Sequence, residues 1–182
     1  FLPAWQLMRL GDPVGAIEYC RGARNENPQY LTDLMRLQAQ IHASIGQPGE
    51  AEKLYREILG AHSIPWAELG LARMLVIRKQ YVEAEEMVRG VLVRNERFIA
   101  AYELLAQIHE LTGRPDDACA ALAAAAELAP HRVARLRHLG TLSLATGNPA
   151  GAEKAMAEVV RKGSYSEFRD PEDHVRLLQA QL

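Results

Sequence analysis

Apolar residues in this chain recur at helical spacing, and a short signal interrupts them at regular intervals. Leu34, Leu37 and Ile41 fall on one face of a helix, as do Leu104, Leu105 and Ile108. Between such stretches stands Gly-x-Pro-x-x-Ala: "GDPVGA" at 11–16, "GQPGEA" at 46–51, "GRPDDA" at 113–118 and "GNPAGA" at 147–152. A fifth, degenerate copy, "KQYVEA" at 79–84, keeps the alanine and puts Tyr81 in the proline's place. The anchoring alanines are Ala16, Ala51, Ala84, Ala118 and Ala152, spaced 35, 33, 34 and 34 residues apart. A second small residue, Ala39, Ala72, Ala106 or Gly140, precedes four of them by twelve positions.

Each part of the signal has a physical reason. Glycine takes the left-handed conformation that closes a helix. Proline fits the first helical position, where its missing N–H is not needed. Between them, Asp12 and Asn148 are good N-caps, whereas Gln47 and Arg114 are poor ones. The alanine lets two helices approach closely. The unit is helix, tight turn, helix. It predicts an all-α chain with helix pairs at about 2–10/13–24, 30–45/48–59, 65–78/82–94, 98–112/115–128 and 131–146/149–162. The alanine-rich stretch 113–130, with eight alanines, makes the second helix of the fourth pair, since alanine has the highest helix propensity.

The last stretch breaks the period. "RDPED" predicts a helix start, with Asp170 as N-cap, Pro171 at the first position and acids in the first turn. A helix over about 171–181 would use Val175, Leu177 and Leu178 to cover the last apolar face. The division is a repeat array over residues 1–165 and a capping element over 166–182.

These spacings resemble the tetratricopeptide repeat. That family has a small residue in its first helix (helix A), an alanine followed four residues later by a large residue in its second (helix B), and a closing proline. Here Ala51 precedes Tyr55, Ala118 precedes Leu122, Ala152 precedes Met156, and Pro28 and Pro130 close repeats. "WAELG" at 66–70 looks like the family's W-x-x-L-G but lies two residues out of register, the small position being Ala72. The resemblance implies a right-handed α-α superhelix of about five repeats, whose inner wall of A helices binds a protein or peptide partner. The positions it assigns to that wall include Arg36, Gln40, Trp66, Arg73, Glu103, Gln107, Arg137 and His138, with Asp33, Glu110 and Thr141 beside them. Arginine and tryptophan are frequent binding anchors; the alternative is a merely solvated inner wall. The Lys/Asn pattern by which some family members clamp a chaperone's C-terminal carboxylate is absent, because the matching positions hold Arg36/Gln40, Leu69/Arg73 and Glu103/Gln107.

"WAELGLA" and "RDPEDHVRL" further resemble the helical half of bacterial response regulators that join a receiver domain to such an array. That likeness implies a receiver domain before Phe1, a signalling output role and a phosphorylated aspartate outside this chain. The other reading is an assembly scaffold for an envelope or pilus machine.

Composition narrows the field. With 21 basic and 23 acidic residues the net charge is −2, which offers no basic stripe for nucleic acid. No apolar run reaches the length of a membrane span. Cys20 and Cys119 fit no metal-ligand spacing and read as small buried hydrophobes in a reducing, cytoplasmic setting. His42 and His109 occupy equivalent repeat positions and read as packing residues, while His131 and His138 would share a face of one helix. Phosphate-binding, nucleophile-elbow and zinc-protease motifs are missing. The expectation is a protein without catalysis, metal or cofactor.

Overall fold

The computed structural model describes residues 2–163, 170 and 172–182. The expected first-turn position of Pro171 and the segment 164–169 lie outside these. The described residues form eleven α-helices and no strand. They are α1 (Leu2–Arg9), α2 (Pro13–Glu26), α3 (Leu31–Ser44), α4 (Pro48–Ala61), α5 (Pro65–Ile77), α6 (Tyr81–Arg94), α7 (Ile99–Leu111), α8 (Pro115–Leu128), α9 (Val133–Ala145), α10 (Pro149–Gly163) and α11 (Glu172–Gln181). A 3-10 turn, Pro28–Tyr30, leads into α3. His131 precedes α9 and therefore does not share a helix face with His138.

The turns carry the sequence signal in atomic form. Gly11, Gly46, Gly113 and Gly147 have φ between 71° and 79°. In every one of these turns the next residue's N–H reaches the carbonyl five positions back, from Asp12 to Leu7, Gln47 to His42, Arg114 to His109 and Asn148 to Ser143. That is the Schellman closure. Asp12 and Asn148 then cap the following helix, accepting from the N–H groups of Gly15 and Gly151. Gln47 and Arg114 make no such cap, and Gln47 instead bonds His42 at 2.7 Å. In the degenerate copy Lys79 holds the glycine position at φ 61°, with Gln80 closing on Leu75. A lysine bears the Cβ strain that glycine avoids. Lys79→Gly is therefore expected to raise stability by about 0.5–1 kcal/mol, read as a higher urea midpoint at unchanged slope.

The chain divides into two units, residues 1–91 and 92–182. In the first, α1 packs on α2, α2 on α3, α3 on α4 and α4 on α5. One core gathers Ala4, Ala16, Ile17, Cys20, Leu37 and Ile41; the other gathers Met35, Ala39, Ala51, Tyr55, Ile58, Leu71 and Met74 among others. In the second unit α7 packs on α8, α8 on α9, α9 on α10, and α11 on both α9 and α10. Its last core holds Ala126, Leu136, Met156 and Val159, with Leu177 of α11 against it.

The small residues sit where helices touch. All five anchoring alanines are fully buried, as are Ala39, Ala72 and Ala106. Ala4 is another, twelve residues before Ala16 and equally buried, which the four-copy reading of the sequence misses. At Gly140 a methyl group would lie 2.9 Å from Met156. Gly70, out of register as a repeat position, has a contact of its own: a methyl there would lie 2.3 Å from the Tyr55 ring.

Helix α11 departs from the expected pattern of burial. Leu177 packs inward, but Val175 and Leu178 are 54% and 61% exposed and do not cover the α10 face. The buried residues of α11 are Asp173 and Ala180, at 3% and 4% exposure. Residues 173, 177 and 180 lie on one side of a helix and 175 and 178 on the other.

Candidate partner-binding face

The A helices α3, α5, α7 and α9 carry the residues assigned to partner binding, and the structure separates these into two groups. The first group lies three residues before the small position of its helix and reaches a neighbouring helix. In α3, Arg36 places its guanidinium 4.6 Å from the centroid of the Trp66 ring in α5, a cation–π contact. In α7, Glu103 receives Arg135 of α9 at 2.7 and 3.0 Å and Arg132 at 3.5 Å. In α9, Arg137 forms a two-pronged pair with Asp173 of α11, both contacts 2.7 Å. Planar guanidinium–carboxylate forks of this kind fix orientation as well as distance. Arg36, Glu103 and Arg137 thus hold α3, α7 and α9 in register with α5, α9 and α11.

Sequence reasoning missed the partners. Arg135 is 5% exposed, and besides Glu103 it donates to the carbonyls of Ala125 and Ala129 at the end of α8. It serves as a C-cap for a helix that has no basic residue in its last turn. Asp173 is equally buried. The Arg137 guanidinium beside it holds its carboxyl below the usual aspartate range against the opposing effect of burial, and Arg137 is itself raised by the same contact. Burial was the only sign that these two residues differ from solvated neighbours, and sequence does not display it.

The second group lies one residue after the small position: Gln40, Arg73, Gln107 and Thr141. All four are exposed. Beside them stand exposed Asp33 and Glu110, and His138, which pairs with Glu110 at 3.1 Å.

Within the first unit the arrangement is sharper. Arg36 and Gln40 lie one turn apart on α3; Trp66 and Arg73 lie two turns apart on α5. Trp66 is half-buried rather than free on the wall, and it packs against the core around Met35 and Ala67. Beneath them lies Tyr55, 5% exposed. Burial pushes its hydroxyl pKa up, and the charges of Arg36 and Arg73 oppose that shift. Arg36 and Gln40 on α3 and Trp66 and Arg73 on α5 thus lie in one unit, and neither arginine is paired with a carboxylate among the described residues.

His42 and His109 are buried in α3 and α7, as packing residues are. Among the described residues no group of three or more histidines, cysteines and carboxylates could hold a metal ion, and no helix is long and apolar enough to cross a membrane.

Comparison with known proteins gives the architecture a name. Residues 104–167 match the family model of the tetratricopeptide repeat. No curated protein sequence matches significantly. Among solved structures, PilF of Pseudomonas aeruginosa superposes with a TM-score of 0.76 at 14% identity, covering 98% of this chain and 80% of that one. TTC0263, a tetratricopeptide-repeat protein of Thermus thermophilus, gives 0.70 at 19% identity, covering 98% and 95%. YrrB, described as a tetratricopeptide-repeat protein with an unusual peptide-binding site, gives 0.61 at 17% identity, covering 98% and 88%. Residues 104–167 thus match the tetratricopeptide repeat by sequence, and the described residues share the fold of solved tetratricopeptide-repeat structures.

Proposed function

We propose that the chain is a non-catalytic interaction module that binds an acidic peptide segment of a partner protein on its A helices. The contact lies within the first unit, on Arg36 and Gln40 of α3 and Trp66 and Arg73 of α5. The observation that carries this reading is the Arg36 guanidinium over Trp66, with exposed Arg73 on the same helix as the indole and no carboxylate paired with either arginine among the described residues. An incoming Asp or Glu side chain would gain charge-assisted hydrogen bonds there, and the indole would supply apolar area. Glu103 and Arg137, already engaged within the chain, support the A helices of the second unit rather than meet the partner.

The test uses Trp66 as reporter in a Trp5→Phe background. A glutamate-rich peptide should change its fluorescence, and a lysine-rich peptide of equal length should not. Arg73→Ala should weaken the glutamate peptide about tenfold, as loss of one charge-assisted contact implies, with helical content unchanged. Equal response to both peptides would overturn the acidic-partner reading.

The wider role we infer is the output part of a bacterial two-component signalling protein, supported by "WAELGLA" and "RDPEDHVRL". The free thiols Cys20 and Cys119 fit a cytoplasmic setting. An assembly scaffold is the alternative. Reading the gene upstream of the Phe1 codon separates them: a receiver domain with clustered aspartates supports signalling, and a signal peptide or lipid anchor supports the scaffold.

A further inference from the structure

Two exposed apolar stripes lie at opposite ends of the helix order; Trp5 in the first follows the small residue Ala4, as Gln40 and Arg73 follow theirs. At the start, α1 turns Ala4, Leu7 and Met8 toward the core. Its other side presents Leu2, Trp5 and Arg9, spaced three and four residues apart. Leu2 is 71% and Trp5 53% exposed, and Leu10 and Val14 beside them are exposed as well. At the finish, α11 turns Asp173, Leu177 and Ala180 inward and presents Val175 and Leu178, with Leu182 following at the same spacing. A large exposed aromatic on a short apolar stripe marks a contact surface more often than an isolated exposed leucine does.

The charged residues that flank the two stripes within their helices are opposite in sign, Arg9 in α1 and Glu172 in α11, while Asp12 beyond α1 caps α2. The only charged residue of α1 is Arg9, exposed and beside Trp5. Around α11 the carboxylates of Asp170, Glu172 and Asp173 face two guanidiniums, Arg137 and Arg176. One negative charge remains, and Glu172 is the carboxylate most open to solvent, 72% exposed. Glu172 precedes Val175 by one turn, as Arg9 follows Trp5 by one turn, so each stripe ends in a charge that suits the other.

We infer that the outer face of α11 docks on the outer face of α1 of a second copy of this chain. Trp5 and Leu2 of one copy pack on Val175 and Leu178 of the next, and Arg9 meets Glu172. The contact is heterologous, because each copy uses a different surface. It therefore leaves a free α1 on one molecule and a free α11 on the other, and can propagate. This inference stands apart from the peptide-binding reading, since it uses none of Arg36, Gln40, Trp66 and Arg73.

The heterologous geometry gives a test that a symmetric dimer cannot pass. Trp5→Glu and Leu178→Glu each place a charge in one stripe at an exposed position, so circular dichroism should show both variants folded. The mass of the wild-type chain, followed by sedimentation as concentration rises, should increase. Each variant alone should associate about tenfold or more weakly, as expected for loss of an interface anchor. Mixed in equal amounts, the two should form a one-to-one dimer and stop there, because the intact α11 of the first meets the intact α1 of the second. A wild-type chain that stays monomeric at every concentration overturns the inference. So does a Trp5→Glu variant that still self-associates through α11, or a mixture that stays monomeric.

Discussion

Gly70→Ala is expected to destabilise the first unit by about 2 kcal/mol, although alanine is the better helix former. The methyl group would stand 2.3 Å from Cε1 and 2.4 Å from Cζ of Tyr55. Ordinary carbon contacts are about 3.5–4.0 Å, so the ring must move by more than an ångström. It has little room, being 5% exposed within the core formed by α3, α4 and α5. Overpacking of this kind costs about 1–3 kcal/mol, and here lies at the upper end; the helix propensity gain returns at most about 1 kcal/mol. Gly22→Ala in α2 is the matched control, because nothing lies within 4 Å of a methyl there. Urea titration should show Gly22→Ala neutral or stabilised and Gly70→Ala clearly destabilised. A Gly70→Ala protein as stable as the control would mean that Tyr55 is not fixed where it is seen.

Asp173→Ala is expected to release the last helix at a local cost of about 3 kcal/mol. Removing one partner of a buried pair leaves the other charge uncompensated, which costs about 3–5 kcal/mol; a quarter of the Arg137 side chain keeps its water, which places the effect at the low end. Little else holds α11 down, since Leu177 and Ala180 are its only apolar residues turned inward. Hydrogen exchange should show the amides of α11 losing protection while α9 and α10 keep theirs. Acid should do the same to the wild-type chain. Docking holds Asp173 ionised below its ordinary value near 3.8, so the docked state binds fewer protons than the released one. The contribution is complete above that value and is lost as pH falls through the lower value of the docked state. Release in acid should be absent from Asp173→Ala, whose α11 exchanges quickly at every pH.

What the sequence made legible follows from the kind of constraint involved. A positive φ demands glycine, a first helical turn accepts proline, and a close helix crossing demands a small side chain. Each demand is local and repeats, so the period, the helix pairs and the alanine-rich α8 could be read before any coordinates. Lys79 shows the limit, because the turn forms even where its preferred residue is missing. Gly70 shows another: judged by register it looked accidental, yet Tyr55, fifteen residues away, needs it small. The register pairs were illegible for a different reason. Glu103 and Arg135 are 32 positions apart, and Arg137 and Asp173 are 36 apart. Their residue types are those of any solvated helix face, and only the stacking of one helix on the next brings them together. The same holds for α11, where sequence offered three apolar residues for burial and packing used one.

Of the eight residues assigned to the partner from sequence, Glu103 and Arg137 are in ion pairs and Arg36 stacks on Trp66, while Gln40 and Arg73 stand exposed on α3 and α5, the surface proposed for the partner. The functional reading stands or falls on that surface. It can be interrogated residue by residue by titrating isotope-labelled protein with a glutamate-rich peptide and following backbone and indole NMR shifts. Saturable shifts centred on the Trp66 indole, Gln40 and Arg73 are expected, with α2, α4 and α8 unmoved. Shifts centred on those B helices, or none at any peptide concentration, would contradict acidic-peptide binding on the A helices.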